Sequence, residues 1–440
     1  MEKGNVKALL PIGVFLVLYL GLGVLFEYGM GIPMGFYNIP IVVIFLVALL
    51  VACVQNRKLP FDDKLVVMGR GIGDKTIVTM VLIFMAAGIF VGTVGRDSAE
   101  SVAYLMLSVI PAEFSVLVLF VVSCFVSLAM GTSVGTITLI TPIAVAVSAA
   151  SGFDLPLCVA SVMGGAMFGD NLSMISDTTI AAVKTQGCKM NDKFKQNFLI
   201  VLPAAVITAL ILAWRTSNVS YQITGDLHYN FLQIVPYLVV LIGALIGFNV
   251  FAVLTAGIVT SSIVGISLGS FTFGELFGKI GEGIESMYEI AVISLLVSGV
   301  VALVKHNGGI QYMIDLIKRH VKTRKGAELG MAGISAVVDV CTANNTVAIV
   351  MAGGIVKEIG DEFDVPPKRA ASILDIFTSM VQGLIPYGAQ LLTAASLVKI
   401  TPFDIIPNLY YPILMGVSAL LWILLAKRKE DAPCQPSKQM

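Results

Sequence analysis

Residues 169–179 read Gly-Asp-Asn-Leu-Ser-Met-Ile-Ser-Asp-Thr-Thr, which sets Asp170 and Asp177 among the hydroxyls of Ser173, Ser176, Thr178 and Thr179. Carboxylate and hydroxyl oxygens are the ligands that hard cations such as Na+ prefer. Burial disfavours the charged form of a carboxylate, so a buried acid can trade a proton for a metal ion. Competition between H+ and Na+ at one acidic site, with access alternating between two sides of a membrane, is sufficient for antiport. Seven residues apart, the two acids would share one face of a continuous helix, although Gly169 and Asn171 favour an opening near the first. The plainer use of Asp177 is to cap a half-helix that begins at Thr178.

Two further polar runs interrupt apolar sequence. Residues 130–136 read Met-Gly-Thr-Ser-Val-Gly-Thr, and residues 340–346 read Val-Cys-Thr-Ala-Asn-Asn-Thr. Glycine lowers helix propensity, and Ser, Thr and Asn side chains bond to backbone groups that a helix break leaves free. A break at membrane depth survives only against protein or water. It frees carbonyls for a cation and points a half-helix N-terminus at an anionic group. Thr132, Ser133 and Thr136 in one run, and Thr342, Asn344, Asn345 and Thr346 in the other, are therefore candidate ligands. Gly131 and Gly135, four apart, equally fit a helix-packing face. Asp339 and Asp375 are embedded in apolar sequence and rank as secondary candidates beside Asp170 and Asp177, the two proposed Na+ ligands. Gln382, Tyr387 and Gln390 fit either a pathway or ordinary packing.

What must position these residues is a membrane protein. Mean hydropathy is +0.91, 57% of the 440 residues are hydrophobic and 13% are charged, against about 25% charged in soluble domains. With a net charge of +0 and no basic stripe, a nucleic-acid partner is excluded as an expectation. No nucleophile with its base and no metal-ligand spacing points to an enzyme, and no cofactor beyond Na+ and H+ as coupling ions is called for. The six cysteines form no disulfide or metal pattern.

Apolar runs long enough to cross a hydrocarbon core lie near 8–26, 39–54, 76–95, 196–214, 231–248, 249–271, 288–304 and 404–426. Regions 113–183 and 327–397 are too long for one straight helix and must break or re-enter. One crossing plus a re-entrant hairpin from each gives about ten crossings, against about fourteen if every segment crosses. Basic residues mark 55–75, 184–195, 318–325 and Lys427 to Lys429, whereas 107–112 and 216–230 have none. Short basic loops stay inside, which places both termini, including Lys3 and Lys7, on the cytoplasmic side of the cytoplasmic membrane. No buried Lys or Arg is evident in the site segments, which disfavours a dicarboxylate substrate.

The chain also repeats itself. The segment 87–106 resembles 298–317 at an offset of 211, and Phe153-Asp154-Leu155-Pro156 matches Phe363-Asp364-Val365-Pro366 at 210, setting Thr132 and Thr136 opposite Thr342 and Thr346. Matching loops differ in basic content, as halves inserted upside down relative to each other require. The fold expected is all-α and polytopic, with two inverted-topology repeats, broken helices and re-entrant hairpins. It divides into an N-terminal helix pair (1–60), a first repeat (61–195), linking helices (196–271), a second repeat (272–400) and a C-terminal helix with a tail (401–440).

The string 169–179 resembles the hallmark of NhaC-type sodium/proton antiporters, Gly-Asp-Lys-x-Ser-Pro-x-Ser-Asp-Thr-Thr, and 131–136 resembles the family's Gly-Thr-Ser-aromatic-Gly-Thr. The resemblance covers most of the chain. It implies two inverted repeats around a central site, often within a homodimer, and site roles for Thr132, Ser133, Thr136, Asp170, Ser173, Ser176, Asp177, Thr178 and Thr179. Asn171, Met174 and Val134 depart from the pattern, as in a divergent subgroup. The expected activity is Na+/H+ antiport, with Na+- or H+-coupled transport of an amino acid or other small organic solute as the alternative.

Overall fold

In the computed structural model, residues 4–32, 40–174, 176–217, 228–246, 248–318 and 323–425 are described. Lys3, Arg319, Lys322 and the basic tail Lys427 to Lys429 lie outside them, as does most of the 216–230 loop. All regular structure among the described residues is helical. The helices are α1 (Leu10–Val24), α2 (Ile41–Gln55), α3 (Phe61–Ile72), α4 (Lys75–Val109), α5 (Ser115–Met130), α6 (Ser133–Ser151), α7 (Leu155–Leu172), α8 (Asp177–Gln186), α9 (Met190–Ser217) and α10 (Phe231–Ile246). There follow α11 (Val250–Ser267), α12 (Phe273–Ser286), α13 (Tyr288–His306), α14 (Gly309–Lys318), α15 (Arg324–Thr342), α16 (Asn345–Glu362), α17 (Pro367–Leu384), α18 (Ala389–Val398), α19 (Pro402–Ile405) and α20 (Tyr410–Leu425).

Eight helical stretches among the described residues are long and apolar enough to cross a membrane, nine if the chain that bends by 100° between Val398 and Pro402 is counted as one. α2, α20 and most of α10 are shorter apolar helices. The chain is a multi-pass membrane protein. α9 illustrates the logic: Lys193, Asn197, Ile200, Val201, Ala204, Thr208 and Leu212 form one buried stripe, while Leu199, Leu210 and Trp214 stay exposed on the opposite face, where lipid is their solvent.

Regions 113–183 and 327–397 do break, each into four helices. α6, α7 and α8 begin at 133, 155 and 177, and α16, α17 and α18 at 345, 367 and 389, a constant separation of 212 residues. That register corrects the pairing by two: Thr132 stands opposite Asn344 rather than Thr342, and Thr136 opposite Ala348. The shared Phe-Asp-x-Pro string misled because it sits two residues closer to α7 than to α17. The same separation relates Phe61 of α3 to Phe273 of α12, and the packing is reciprocal, α3 against α13 and α12 against α4. Residues 61–72, expected as part of a loop, are thus an amphipathic helix. α4 also runs on past 95, kinked at Gly95 with φ 69°, near the point matching the turn at Gly308.

Close helix contacts use glycine where no Cβ would fit. A Cβ on Gly165 would stand 2.2 Å from the Phe120 carbonyl oxygen and one on Gly169 2.3 Å from that of Cys124, so α7 lies directly against α5. Gly131, in contrast, belongs to a helix break, and a Cβ on Gly135 would meet the capping Thr132 at 2.7 Å and Val250 of α11 at 3.4 Å. Gly165→Val should push the two backbones apart and lower the melting temperature of the purified protein by the equivalent of about 3 kcal/mol. Gly354→Val, at a glycine whose Cβ would meet nothing within 4 Å, should leave it within about 0.5 kcal/mol.

Candidate functional site

Each half contains two breaks of different kind. α5 ends on Gly131 in the left-handed conformation (φ 69°), and Thr132 turns extended to cap α6, its hydroxyl accepting from Gly135 N at 3.3 Å. In the second half Ala343 takes the left-handed place (φ 50°), and Asn344 caps α16 by accepting from Val347 N at 3.0 Å. The other kind is a short link bounded by extended residues. α7 stops at Leu172, Ser173 is extended, and Ser176 is the residue preceding α8. Its counterpart runs from Ile385 to Gly388 between α17 and α18. The helix therefore does not continue from Asp170 to Asp177; it opens after Leu172, and Asp177 is the first residue of α8, preceded at the capping position by Ser176, which makes no side-chain capping bond.

Residues of three breaks, with Gln382, Ala389 and Gln390 on either side of the fourth, line one cavity of about 510 Å³. Half-helix N-termini at Ser133, Asp177, Asn345 and Ala389 border it. Asp170, 8% exposed, lines this cavity. Its Oδ2 accepts from the Ser133 hydroxyl at 2.8 Å and its Oδ1 from the Ser176 hydroxyl at 2.6 Å. Gln390 of α18 donates to the Ser133 oxygen at 3.2 Å, and the Ser176 and Thr178 hydroxyls are 2.8 Å apart. Asp170 is thus held by hydroxyls and sits midway along the apolar stretch 155–186. Such a carboxylate costs from about 2.5 kcal/mol upward in a bilayer unless compensated.

The remaining candidates separate. Asp177, Thr178, Thr132, Asn344, Asn345 and Thr346 also border the cavity, as do Gln382 and Gln390. Asp177 is exposed into it while Asp170 is buried. Thr136 bonds back to the Thr132 carbonyl at 2.9 Å and Ser173 is fully buried; neither borders the cavity. Thr342 instead lines a neighbouring cavity of about 810 Å³ with Arg70, Asp74 and Lys305, which meets the first at Asn344. Tyr387 donates to the Val340 carbonyl at 2.8 Å, a packing role. Asp339 is fully buried off both cavities, with neither carboxyl oxygen hydrogen-bonded among the described residues.

Asp375 is fully buried behind the cavity in a cluster the sequence did not disclose. Its Oδ2 accepts from Lys193 Nζ, from Asn171 Nδ2 at 3.1 Å and from Asn197 Nδ2 at 3.2 Å. Lys193 Nζ also donates to the Asn171 carbonyl at 2.8 Å and to Thr179 Oγ1 at 2.9 Å. The expectation of no buried cation at the site is therefore wrong: Lys193 is 1% exposed. It was concealed within a run of surface lysines. The signal that finds it is periodicity, because Lys193 and Asn197 continue the buried stripe of α9.

Paired helix breaks around a polar cavity, with an acid at the centre of an otherwise apolar stretch, are the architecture of a secondary transporter. Comparison with known proteins agrees. The chain belongs to the Na+/H+ antiporter family, whose model matches residues 38–215 and 226–427. It is similar to the malate-2H+/Na+-lactate antiporter of Bacillus subtilis, 21% identical over 437 residues, which covers 92% of this chain and 91% of that one. It is similar to the Na+/H+ antiporter NhaC of Alkalihalophilus pseudofirmus, 23% identical over 88% of this chain and 89% of that one. The NhaC of Bacillus subtilis is 24% identical over 80% of this chain and 84% of that one.

Accessibility tests the geometry. With Cys53, Cys188 and Cys434 replaced by Ser, cysteines introduced at Asp177 and Thr346 should react with a membrane-impermeant maleimide, whereas the buried Cys124, Cys158 and Cys341 and a cysteine at Asp375 should not. Labelling is read by gel shift of intact vesicles of both orientations.

Proposed function

We propose that this protein exchanges Na+ for H+ by alternating access, with Asp170 holding the proton and the cation in turn. The observation that carries the reading is the setting of Asp170: buried between two helix breaks, facing a cavity, and bonded by two hydroxyls that serve a proton-bearing or a cation-bearing carboxylate equally well. A hydroxyl can donate to the anion or, turned round, accept from the acid, and its lone pair can join a cation's shell. The Thr178 hydroxyl, 2.8 Å from that of Ser176, and the Gln390 amide on Ser133 extend this polar surround. Asp177, at the exposed wall of the same cavity, attracts cations to it. The two halves, with the transport core at 61–195 and 272–400, are read as inverted repeats, and the loop of 55–75, the side on which Lys75 borders the cavity, as cytoplasmic.

Family membership and the similarity to Na+/H+ antiporters favour this reading over a coupled organic solute. The buried ammonium at Lys193 is engaged by Asp375 and does not border the cavity, so an organic dianion finds no free buried cation there among the described residues.

In proteoliposomes, an inward Na+ gradient should alkalinise the lumen, followed with an internal pH dye. Asp170→Asn should abolish the signal. Ser133→Ala and Ser176→Ala should each raise the KM for Na+ by roughly tenfold, the value of a hydrogen bond to a charged group. Asp177→Asn should leave turnover measurable with a higher KM. Uptake of a labelled amino acid or malate that needs the gradient, with no pH change in its absence, would overturn the reading.

A further inference from the structure

Lys193 and Asp375 form an ion pair whose exposures are 1% and 0%, away from the cavity wall, in a chain that otherwise keeps most charge out of its interior. Removing two charges from water carries a desolvation penalty that the pair's attraction often fails to recover. Apolar side chains of similar volume would hold these helices as well. A second buried pair, Glu328 with Arg369 at 2.7 Å, joins the beginnings of α15 and α17, and the guanidinium lies 3.4 Å over Trp422. That pair staples helix ends and touches none of the breaks. The Lys193 pair is placed differently.

Two routes connect it to Asp170. The first is the chain itself: Lys193 and Asn197 both donate to the carbonyl of Asn171, the residue after Asp170 and the last but one of α7. The second runs through side chains, since the Thr178 hydroxyl bonded to Ser176 also faces Asp375. Asp375 and Asp170 are near enough for their charges to act on each other. The ionisable groups facing Asp375 are Lys193 of α9, Asp170 of α7 and the Tyr411 hydroxyl of α20; Cys188, before α9, lies near enough to Lys193 to feel its charge. The ammonium is therefore the one cation among these groups, and its charge cancels that of Asp375 beside the exchanging carboxylate.

We propose that Lys193 is a tuning residue for the cation site: by neutralising Asp375 it leaves Asp170 as the single unpaired negative charge of the cluster, and so sets Na+ affinity and the pH range of exchange. The inference rests on the reading of Asp170 given above. The string resembled by 169–179 carries Lys where this chain has Asn171, and here Asn171 and Lys193 meet on the same Asp375 oxygen. The cation enters from α9 instead of α7.

The charge logic gives opposite signs for the two partners. Lys193→Gln unmasks Asp375 and makes the surroundings of Asp170 more negative, so Na+ binds more tightly and the proton leaves later. The KM for Na+ should fall by roughly fivefold or more, and the activity–pH curve should move alkaline by about half a unit or more. Asp375→Asn leaves Lys193 uncompensated beside Asp170; the KM should rise by a similar factor and the curve move acid. The double variant should return both toward the wild type. A pair that only holds helices together predicts the reverse pattern, with both single variants damaged alike and the double no better.

The measurements are Na+-driven pH changes in proteoliposomes and, independently of transport, the Na+-dependent rise in melting temperature of purified protein at several pH values. Shifts in the same direction for the two single variants, or none in either with normal protein yield, overturn the proposal while leaving the exchange reading intact. A wild-type protein that neither exchanges Na+ for H+ nor is stabilised by Na+ overturns both. If one single variant fails to fold, the double against the wild type decides: its curve must lie nearer the wild type than that of the surviving single variant.

Discussion

A carboxylate can lie at the centre of an apolar chain only if something compensates it, and most of this architecture follows from doing so for Asp170. In a continuous helix every backbone group is already used, leaving nothing to offer an acid or an ion. Opening the helix on either side of the acid releases donors and acceptors. Here one break supplies Ser133 at the start of α6 and another supplies Ser176 before α8, each within hydrogen-bonding distance of one Asp170 oxygen. Each break is in turn kept from unravelling. Thr132 caps α6 and Asn344 caps α16, Gln382 donates to the Ala343 carbonyl at 3.1 Å, and Gln390 to Ser133.

The two kinds of break have different consequences. At Gly131 and Ala343 the chain reverses within two residues, so a half-helix ends and the next begins at nearly one point, which requires a left-handed residue. Glycine adopts that conformation freely, whereas an alanine there is disfavoured by about 1 kcal/mol. At the other two breaks the residues bounding the link are extended, Ser173 and Ser176 in the first half and Ile385 and Gly388 in the second, where a tight turn closes with Gly388 N donating to the Ile385 carbonyl at 3.0 Å. Gly388 is required there for space rather than for backbone angle, because a Cβ would stand 2.8 Å from the Gln382 carbonyl oxygen.

Much of this was legible in sequence. Ser, Thr, Asn and Gly inside apolar runs located the breaks at 131–133 and 343–345, because few other uses for such residues exist at membrane depth, whereas the opening that Gly169 and Asn171 suggest near Asp170 falls after Leu172. Matching strings revealed the repetition, but short strings fix a register only as well as the loops between them are conserved in length, and α16 is followed by one more linking residue than α6. The amphipathic α3 reads as loop because its charges outweigh its apolar face in any average; only the spacing of the buried Lys64 and Met68 shows the helix. Lys193 and Asp375 lay furthest from view. Their partnership spans 182 positions, and no local pattern announces which charges a fold will bring together.

The repeat is a symmetry of scaffold and not of chemistry. At the separation of 212, Asp170 corresponds to Gln382, Asp177 to Ala389, and Asp375 to Met163. The first half thus brings the acids to the cavity, while the second brings amides that hold the breaks open. Two acidic half-sites facing each other would place several like charges within a few ångströms, each disfavouring ionisation of the others. Amides on one side avoid that repulsion and leave a single exchangeable charge at the centre. Asp339, equivalent to Ser127, marks the limit of the division: it lies one turn before a break, yet off the cavity and without a donor among the described residues, so proximity to a break does not by itself recruit an acid to the site. What recruits Asp170 is the pair of hydroxyls that the two breaks of its own half turn toward it.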